Sequence, residues 1–142
     1  KAYVTDFPSF PLLRHENVIC LPHLGASTQE AEQNCAVMVA DNLREFLENG
    51  NICHAVNFPE AVLRRTRPHR LAISNANVPN MVGQVSTALA EEDINIADLL
   101  NVSRGEVAHT IVDMDGPASR TTLQRMRSID GILSLRVLPI VD

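Results

Sequence analysis

Residues 94–113 read INIADLLNVSRGEVAHTIVD, and this stretch decides the fold. It contains two runs rich in apolar and β-branched residues, 94–103 and 106–113, on either side of Arg104-Gly105. Two such runs separated by a short turn that contains glycine indicate an antiparallel β-hairpin. The rest of the chain can then be placed around this hairpin.

A helix and a strand are predicted on each side of the hairpin. The helices, 81–92 and 119–129, carry apolar side chains at helical spacing: Val82, Val85 and Leu89 in the first, Leu123, Met126 and Ile129 in the second. Residues 69–75 and 132–138 have the composition of strands. The order β-α-β-β-α-β predicts an α+β fold of the ferredoxin-like kind, with both helices on one face of an antiparallel sheet. The opposite face must be covered by another segment or be polar.

The residues before this fold are predicted to contain two strands and a linker. Residues 1–6 have strand composition, and the apolar run 18–21 fits a buried strand of a parallel sheet. Residues 57–68 are predicted to be a linker. A basic run begins in this linker and ends just beyond it, with Arg64, Arg65, Arg67 and Arg70. We expect this run to be solvated, because Pro68 interrupts it and no aromatic residue is interleaved.

A long helix is predicted from Ser27 to Glu48, between those strands and the linker. Ser27 and Glu30 have the spacing of a capping box, and Gly50 can end the helix in the left-handed conformation. The predicted buried stripe consists of Ala31, Cys35, Met38, Val39, Asn42, Leu43 and Phe46. A helix this long in a short chain is expected to connect domains.

Composition excludes several classes of function. The net charge of −5 argues against a nucleic-acid partner, and no apolar run approaches the ~20 residues that span a membrane. Three cysteines form no disulfide framework, which predicts a reducing, cytoplasmic compartment. Cys20 and His23 have the spacing of a metal site, but buried thiols are the expected reading, so no metal is predicted. Since the first residue is Lys1, we expect a piece of a longer protein.

Residues 17–57 contain the strings VICLPHLGAST and NICHAVNFPE. This segment resembles the end of the catalytic part of D-2-hydroxyacid dehydrogenases, a Rossmann-type α/β domain, and most of all the 3-phosphoglycerate dehydrogenases. The resemblance implies that His23 exchanges a proton with the substrate oxygen during hydride transfer to or from NAD. It also implies that Asp6 and Gly25 lie near the nicotinamide. Without the resemblance, the favoured interpretation of His23 is a loop histidine with local hydrogen bonds.

Two parts of such an enzyme are missing from the sequence. The glutamate that pairs with the histidine in the family is replaced by Phe10 or Pro11, and no carboxylate follows until Glu16. The six glycines do not form a G-x-G-x-x-G motif. We therefore expect that these 142 residues alone neither bind NAD nor catalyse hydride transfer.

Residues 69–141 resemble an ACT domain, a module that senses small molecules. In the ACT domains of 3-phosphoglycerate dehydrogenases the effector is L-serine, held at an interface between two domains whose sheets join edge to edge. The resemblance places the effector-binding side chains at Asn75, Asn77 and Asn95. Asn80 replaces a glycine, which is tolerable because asparagine adopts the left-handed conformation more easily than most residues. Asparagine can donate to a carboxylate and accept from an ammonium group. The alternative is that these asparagines only form turns.

Together the motifs predict a dehydrogenase remnant over 1–57, a linker over 58–68 and an ACT regulatory domain over 69–142. The predicted function is that of the C-terminal regulatory part of an NAD-dependent 3-phosphoglycerate dehydrogenase. It would form a homo-oligomer through its ACT domains and bind an amino-acid effector, with L-serine as the expected ligand. The alternative is a structural dimerisation module that binds nothing.

Overall fold

A computed structural model of the protein describes residues 1–140. Contacts within the chain group it into two compact units, Lys1–Ala40 and the residues from Asp41 onward. The elements are the strands β1 Tyr3–Thr5, β2 Val18–Cys20, β3 His69–Ala76, β4 Ile96–Arg104, β5 Val107–Met114 and β6 Ile132–Val137, and the helices α1 Gln29–Arg44, α2 Met81–Ala90 and α3 Arg120–Arg127. A 3-10 turn, Leu12–Arg14, precedes β2, and a π-helical turn, Glu45–Asn49, continues α1.

Four strands form an antiparallel sheet in the order β4-β5-β3-β6. The helices α2 and α3 pack on one face of it, through a core formed by Leu71, Ile73, Val85, Leu89, Val112, Met114, Met126 and Leu135 with smaller neighbours. Of the apolar side chains at helical spacing, Val85, Leu89 and Met126 are buried, while Leu123 and Ile129 pack partly buried against the core. Ser119 caps α3 by accepting from the Thr122 N–H. The predicted ferredoxin-like βαββαβ fold is confirmed.

The opposite face of the sheet is covered by the chain between Gly50 and His69. Ile52 and Ala61 form a bridge, and both pack with Ile111 of β5 and with half-buried Phe58. The expectation of a solvated basic run is wrong for its last member, Arg70. Arg70 is fully buried, because it points from β3 into the space beneath the covering segment.

Arg70 forms an ion pair with Asp113 of the neighbouring strand, and both side chains are inaccessible to water. Arg70 Nη2 donates to Asp113 Oδ2 at 2.8 Å, and Arg70 Nη1 donates to the carbonyls of Asn49 and Leu63 at 3.0 and 2.9 Å. Asp113 Oδ2 also accepts from the Thr66 N–H at 2.9 Å. Burial alone would raise the pKa of Asp113, but the hydrogen bonds from Arg70 and Thr66 outweigh it and hold the pKa below its ordinary value.

The unit Lys1–Ala40 contains the parallel pair β1 and β2, in which Thr5 lies opposite Cys20. The strand at 18–21 was expected to be buried, yet Ile19 is half exposed, because a sheet of only two strands covers neither of its faces. The predicted capping box is also displaced by one residue. Thr28 rather than Ser27 caps α1, and its Oγ1 accepts from the Ala31 N–H at 3.1 Å.

The apolar stripe predicted on the long helix is not buried in the described structure, where α1 has no buried residue. Met38, Val39 and Leu43 are each about half exposed, at 51%, 55% and 54%. The predicted stop at Gly50 is confirmed, since Gly50 has φ of +71°. A Cβ there would lie 2.7 Å from the Ala72 Cβ, so both the conformation and the close approach to β3 require glycine.

The buried ion pair predicts a large loss of stability in Asp113→Asn. This change leaves the guanidinium of Arg70 buried without a counter-charge, which costs about 3–5 kcal/mol of the free energy of unfolding. Urea denaturation at pH 7 measures it. Asp41→Asn is the matched control, because Asp41 pairs with Arg44 in water and exposed pairs contribute little. Equal effects of the two changes would contradict the importance given to the buried pair.

Candidate functional site

His23 and Asp6 come together at one end of the parallel strand pair. The distance from His23 Nδ1 to Asp6 Oδ2 is 3.4 Å, and the two side chains are 65% and 53% exposed. The edge of the Phe7 ring lies against the imidazole, with ring centroids 5.4 Å apart. Asp6 directly follows β1 and His23 lies three residues beyond β2. Since parallel strands end at the same edge, the pairing of β1 with β2 brings these two side chains together.

Asp6 is a carboxylate partner of His23 that the sequence motifs did not indicate. The resemblance implied a position near the nicotinamide for Asp6, and the family's partner of the histidine was expected at positions 10–16. The available signal was the parallel pairing of two strand-like runs, which places the residues that follow them side by side. An accepting carboxylate at Nδ1 favours the tautomer that carries its hydrogen there, so Nε2 remains free to accept a proton.

Gly25 lies in a turn two residues after His23, and a Cβ at this position would meet no atom within 4 Å. The space beside it is therefore open on the surface of this unit. Asp6 and His23 form an exposed pair, and the backbone at Gly25 is unobstructed. A phosphate-binding glycine motif is not part of the sequence.

Asn75, at the end of β3, is buried with 2% of its surface exposed. Its Nδ2 donates to the Ala76 carbonyl at 2.8 Å, and its Oδ1 accepts from Thr110 Oγ1 at 3.1 Å. Thr110 Oγ1 accepts in turn from Asn101 Nδ2 at 2.7 Å. The carboxamide of Asn75 is thus engaged in a hydrogen-bonded row across three strands.

Asn77 and Asn95 are exposed, and they lie at opposite ends of the β4–β5 hairpin. Asn77 Nδ2 donates to the Gly105 carbonyl at 3.0 Å, beside the hairpin turn. Asn95 Nδ2 donates to Asp115 Oδ2 at 2.8 Å, beside the open end. The nine residues of β4 separate the two positions by roughly 25–30 Å at ~3.3 Å per residue. One copy of the chain therefore does not bring Asn77 and Asn95 to a common ligand.

The carboxylate beside Asn95 is held in its charged form. The hydrogen bond from Asn95, followed by that from Arg67, lowers the pKa of Asp115. Arg67 Nε lies 2.7 Å from Asp115 Oδ1, in an ion pair whose members are about half exposed. The position of Asn95 is therefore polar, charged and open to water.

Asn80 precedes α2 in the left-handed conformation, with φ of +67°, as the sequence analysis predicted for a residue in the place of glycine. A Cβ on Gly83 would collide with Asn80 Oδ1, so the absence of a side chain at Gly83 makes room for the carboxamide. No side chain caps the first turn of α2, which leaves N–H groups of this turn available to an anion.

Within residues 1–140, no group of three or more His, Cys, Asp or Glu side chains is placed to hold a metal ion. The three cysteines are unpaired thiols, and the expectation that they are buried is wrong, because Cys20 and Cys35 are exposed and Cys53 is partly exposed. Among the described residues, no helix combines the length and the apolar character needed to cross a membrane.

Comparison with known proteins places these features in a family context. No family model matches the chain. The curated relatives are D-3-phosphoglycerate dehydrogenases. The enzyme from Escherichia coli K12 is 33% identical over 130 residues, which cover 90% of this chain and 32% of the relative. The enzyme from Haemophilus influenzae is 31% identical, covering 90% of this chain and 32% of the relative, and that from Saccharomyces cerevisiae is 28% identical, covering 97% of this chain and 30% of the relative. The chain spans about a third of the length of these relatives.

Among solved structures, the ACT domain from GTP pyrophosphokinase of Chlorobium tepidum matches 49% of this chain with 95% of its own. The TM-score is 0.41 and the sequence identity 14%, so this likeness adds nothing to the fold established by the strand order. The sequence relatives carry more weight. Over nine tenths of its length the chain is similar to D-3-phosphoglycerate dehydrogenase, which confirms the predicted resemblance.

Proposed function

We propose that this chain is the amino-acid-sensing part of an NAD-dependent D-3-phosphoglycerate dehydrogenase, and that L-serine binds between two copies of it. The observation that carries the proposal is the position of Asn77 and Asn95 at opposite ends of β4, an edge strand of the sheet. The proposal includes three segments: a dehydrogenase remnant over 1–57, a linker over 58–68 and an ACT regulatory domain over 69–142. Serine biosynthesis in the cytoplasm is the corresponding cellular role.

Pairing of two copies through β4 would join the two halves of the site. Two identical edge strands related by a two-fold axis run antiparallel, so the start of one lies beside the end of the other. Asn95 of one copy then lies near Asn77 of the second copy, twice in each dimer. Each site would offer carboxamides that donate to the serine carboxylate and accept from its ammonium group, together with N–H groups of α2 for the carboxylate.

Regulation would follow from a shift in population. If serine binds more tightly to one arrangement of the paired sheets, it favours that arrangement by the difference in affinity. The long helix ends on the same sheet, so the arrangement of the sheets bears on the position of its last turn. The alternative function, a dimerisation module without ligand, is favoured by one feature: Asn77 and Asn95 already have partners within the chain.

Two variants test whether the effector site is shared between copies. In titration calorimetry with L-serine, Asn77→Ala and Asn95→Ala should each abolish saturable binding when tested alone. An equimolar mixture of the two variants should regain about a quarter of the wild-type capacity, because half of the dimers are mixed and each mixed dimer has one intact site. Glycine and L-alanine serve as control ligands.

A mixture that regains no binding would place all serine contacts within one copy. If the wild-type chain gives no heat with serine while sedimentation shows a dimer, the dimerisation module is the better account. A chain that remains monomeric at high concentration would rule out both functions.

The dehydrogenase step assigned to the whole protein is the oxidation of 3-phosphoglycerate to 3-phosphohydroxypyruvate. A bound NAD would supply the acceptor for the hydride that leaves the carbon carrying the hydroxyl group. His23 takes the hydroxyl proton on Nε2 as the carbonyl forms, and Asp6 stabilises the resulting imidazolium through Nδ1. Asp6 is thus a positioning residue that replaces the glutamate missing from the sequence.

The roles of His23 and Asp6 can be tested in the full-length gene product. His23→Gln should lower kcat about 10²–10⁴-fold, as expected for loss of a general base. Asp6→Asn should lower kcat less and leave KM nearly unchanged, and Asp6→Glu should restore part of the loss. His15→Gln is the control, since His15 is an exposed histidine of the same unit. Full activity of His23→Gln would remove His23 from the mechanism.

Asn75 is expected to contribute more to stability than Asn77 does. Asn75→Ala leaves Thr110 without its acceptor inside the sheet, so the free energy of unfolding should fall by about 1–3 kcal/mol. Asn77→Ala, at an exposed position, should change it much less. Urea denaturation of both variants measures the difference. If the two variants are equally stable, the role of Asn75 lies in the ligand rather than in the fold.

A further inference from the structure

Four side chains from outside the long helix contact its last turn, and we name them the helix-end cluster: Arg65, Arg70, His109 and Arg136. Each of the five final carbonyls contacts one of these side chains. Arg136 donates from Nη1 to the Phe46 carbonyl and from Nη2 to the Leu47 carbonyl, both at 3.0 Å. Arg65 Nη1 donates to the Glu48 carbonyl at 3.1 Å, Arg70 Nη1 to the Asn49 carbonyl at 3.0 Å, and His109 Nε2 lies 2.9 Å from the Gly50 carbonyl. The C-terminal carbonyls of a helix lack partners within the helix and carry partial negative charge. The cluster satisfies these carbonyls and attaches the helix end to the sheet.

Three members of this cluster keep their charge at every physiological pH, whereas His109 can change its charge. His109 is 1% exposed and lies on β5, facing the helix end. Because a carbonyl can only accept, its contact with Gly50 requires a hydrogen on Nε2. Nδ1 lies 3.4 Å from Ser74 Oγ, and the edge of the Phe58 ring completes the surroundings. The imidazole is therefore enclosed, with two uncharged hydrogen-bond partners among the described residues.

The charged groups on the surrounding elements do not offer His109 a counter-ion. Arg136 of β6 acts on His109 as a like charge, and Arg70 of β3 and Asp113 of β5 neutralise one another in their buried ion pair. Glu45, at the helix end, accepts instead from Asn49 and Asn51. On β4, Arg104 points to the Ala55 carbonyl, and the covering segment presents the uncharged Phe58.

Protonation of the enclosed imidazole is therefore unfavourable. Burial lowers the pKa of His109 below its ordinary value; the Gly50 carbonyl acts in the opposite direction, and Arg136 lowers the pKa further. Once the helix end separates from the sheet, water can solvate the imidazolium. The open arrangement then binds a proton at pH values where the closed arrangement does not.

We propose that His109 is an acid-sensitive latch, whose protonation on Nδ1 releases the last turn of the long helix from the sheet. The latch acts below the ordinary pKa of histidine, near 6.5. In that range the open form binds more protons than the closed form, so acidification favours opening, by at most about tenfold per pH unit for one group. The mechanism requires neither the effector nor the dehydrogenase step.

Hydrogen exchange measured by mass spectrometry on the 142-residue chain tests the latch. We expect protection factors of the amides at 45–52, corrected for the intrinsic exchange rate, to fall several-fold between pH 7.5 and pH 5.5. Protection of β3 and β5 should change much less. In His109→Gln, the side-chain amide can still donate to Gly50 and accept from Ser74 but cannot gain a proton. Its protection at 45–52 should therefore be the same at both pH values.

His69→Gln is the matched control, because His69 lies on the neighbouring strand β3 and outside the helix-end cluster, and it should behave as the wild type does. Protection at 45–52 that is independent of pH in the wild type would overturn the proposal, whatever the variants do. An equal fall with acidification in the wild type and in His109→Gln would also overturn it, since another group would then be responsible.

Discussion

Arg70 and Asp113 form an ion pair that water does not reach, and the other parts of the larger unit are built around it. Burying either charge alone would cost several kcal/mol, so each needs the other and every further hydrogen bond within reach. Those bonds come from the covering segment and the helix end, through Thr66 and the carbonyls of Leu63 and Asn49. The ion pair thus determines where the chain outside the sheet must lie.

One consequence is that the sheet has two kinds of face. The face that carries α2 and α3 is held by apolar packing, which is insensitive to pH and tolerant of small shifts. The opposite face holds a polar, hydrogen-bonded helix end beside a small apolar cluster around Ile111. Since directional bonds with charged groups have few alternative geometries, this second face is the one suited to a two-state attachment.

The candidate sites follow from topology in the same way. Asp6 and His23 meet because two parallel strands end at one edge, and Asn77 and Asn95 are apart because a hairpin separates them by the length of β4. One chain therefore brings Asp6 and His23 together but keeps Asn77 and Asn95 apart. Under the proposed function the effector site would need two copies, so the association of copies would be part of effector binding.

The sequence by itself determined the βαββαβ order, the stop at Gly50 and the left-handed Asn80, because periodicity and backbone preference are local properties. It did not determine the fate of the basic run, in which Arg70 is buried against a carboxylate 43 residues away. Nor did it identify Asp6 as the neighbour of His23, or show which apolar residues of α1 are exposed. Those outcomes depend on distant segments meeting in space, and only the tertiary structure decides which pairs of charges can share a site that excludes water.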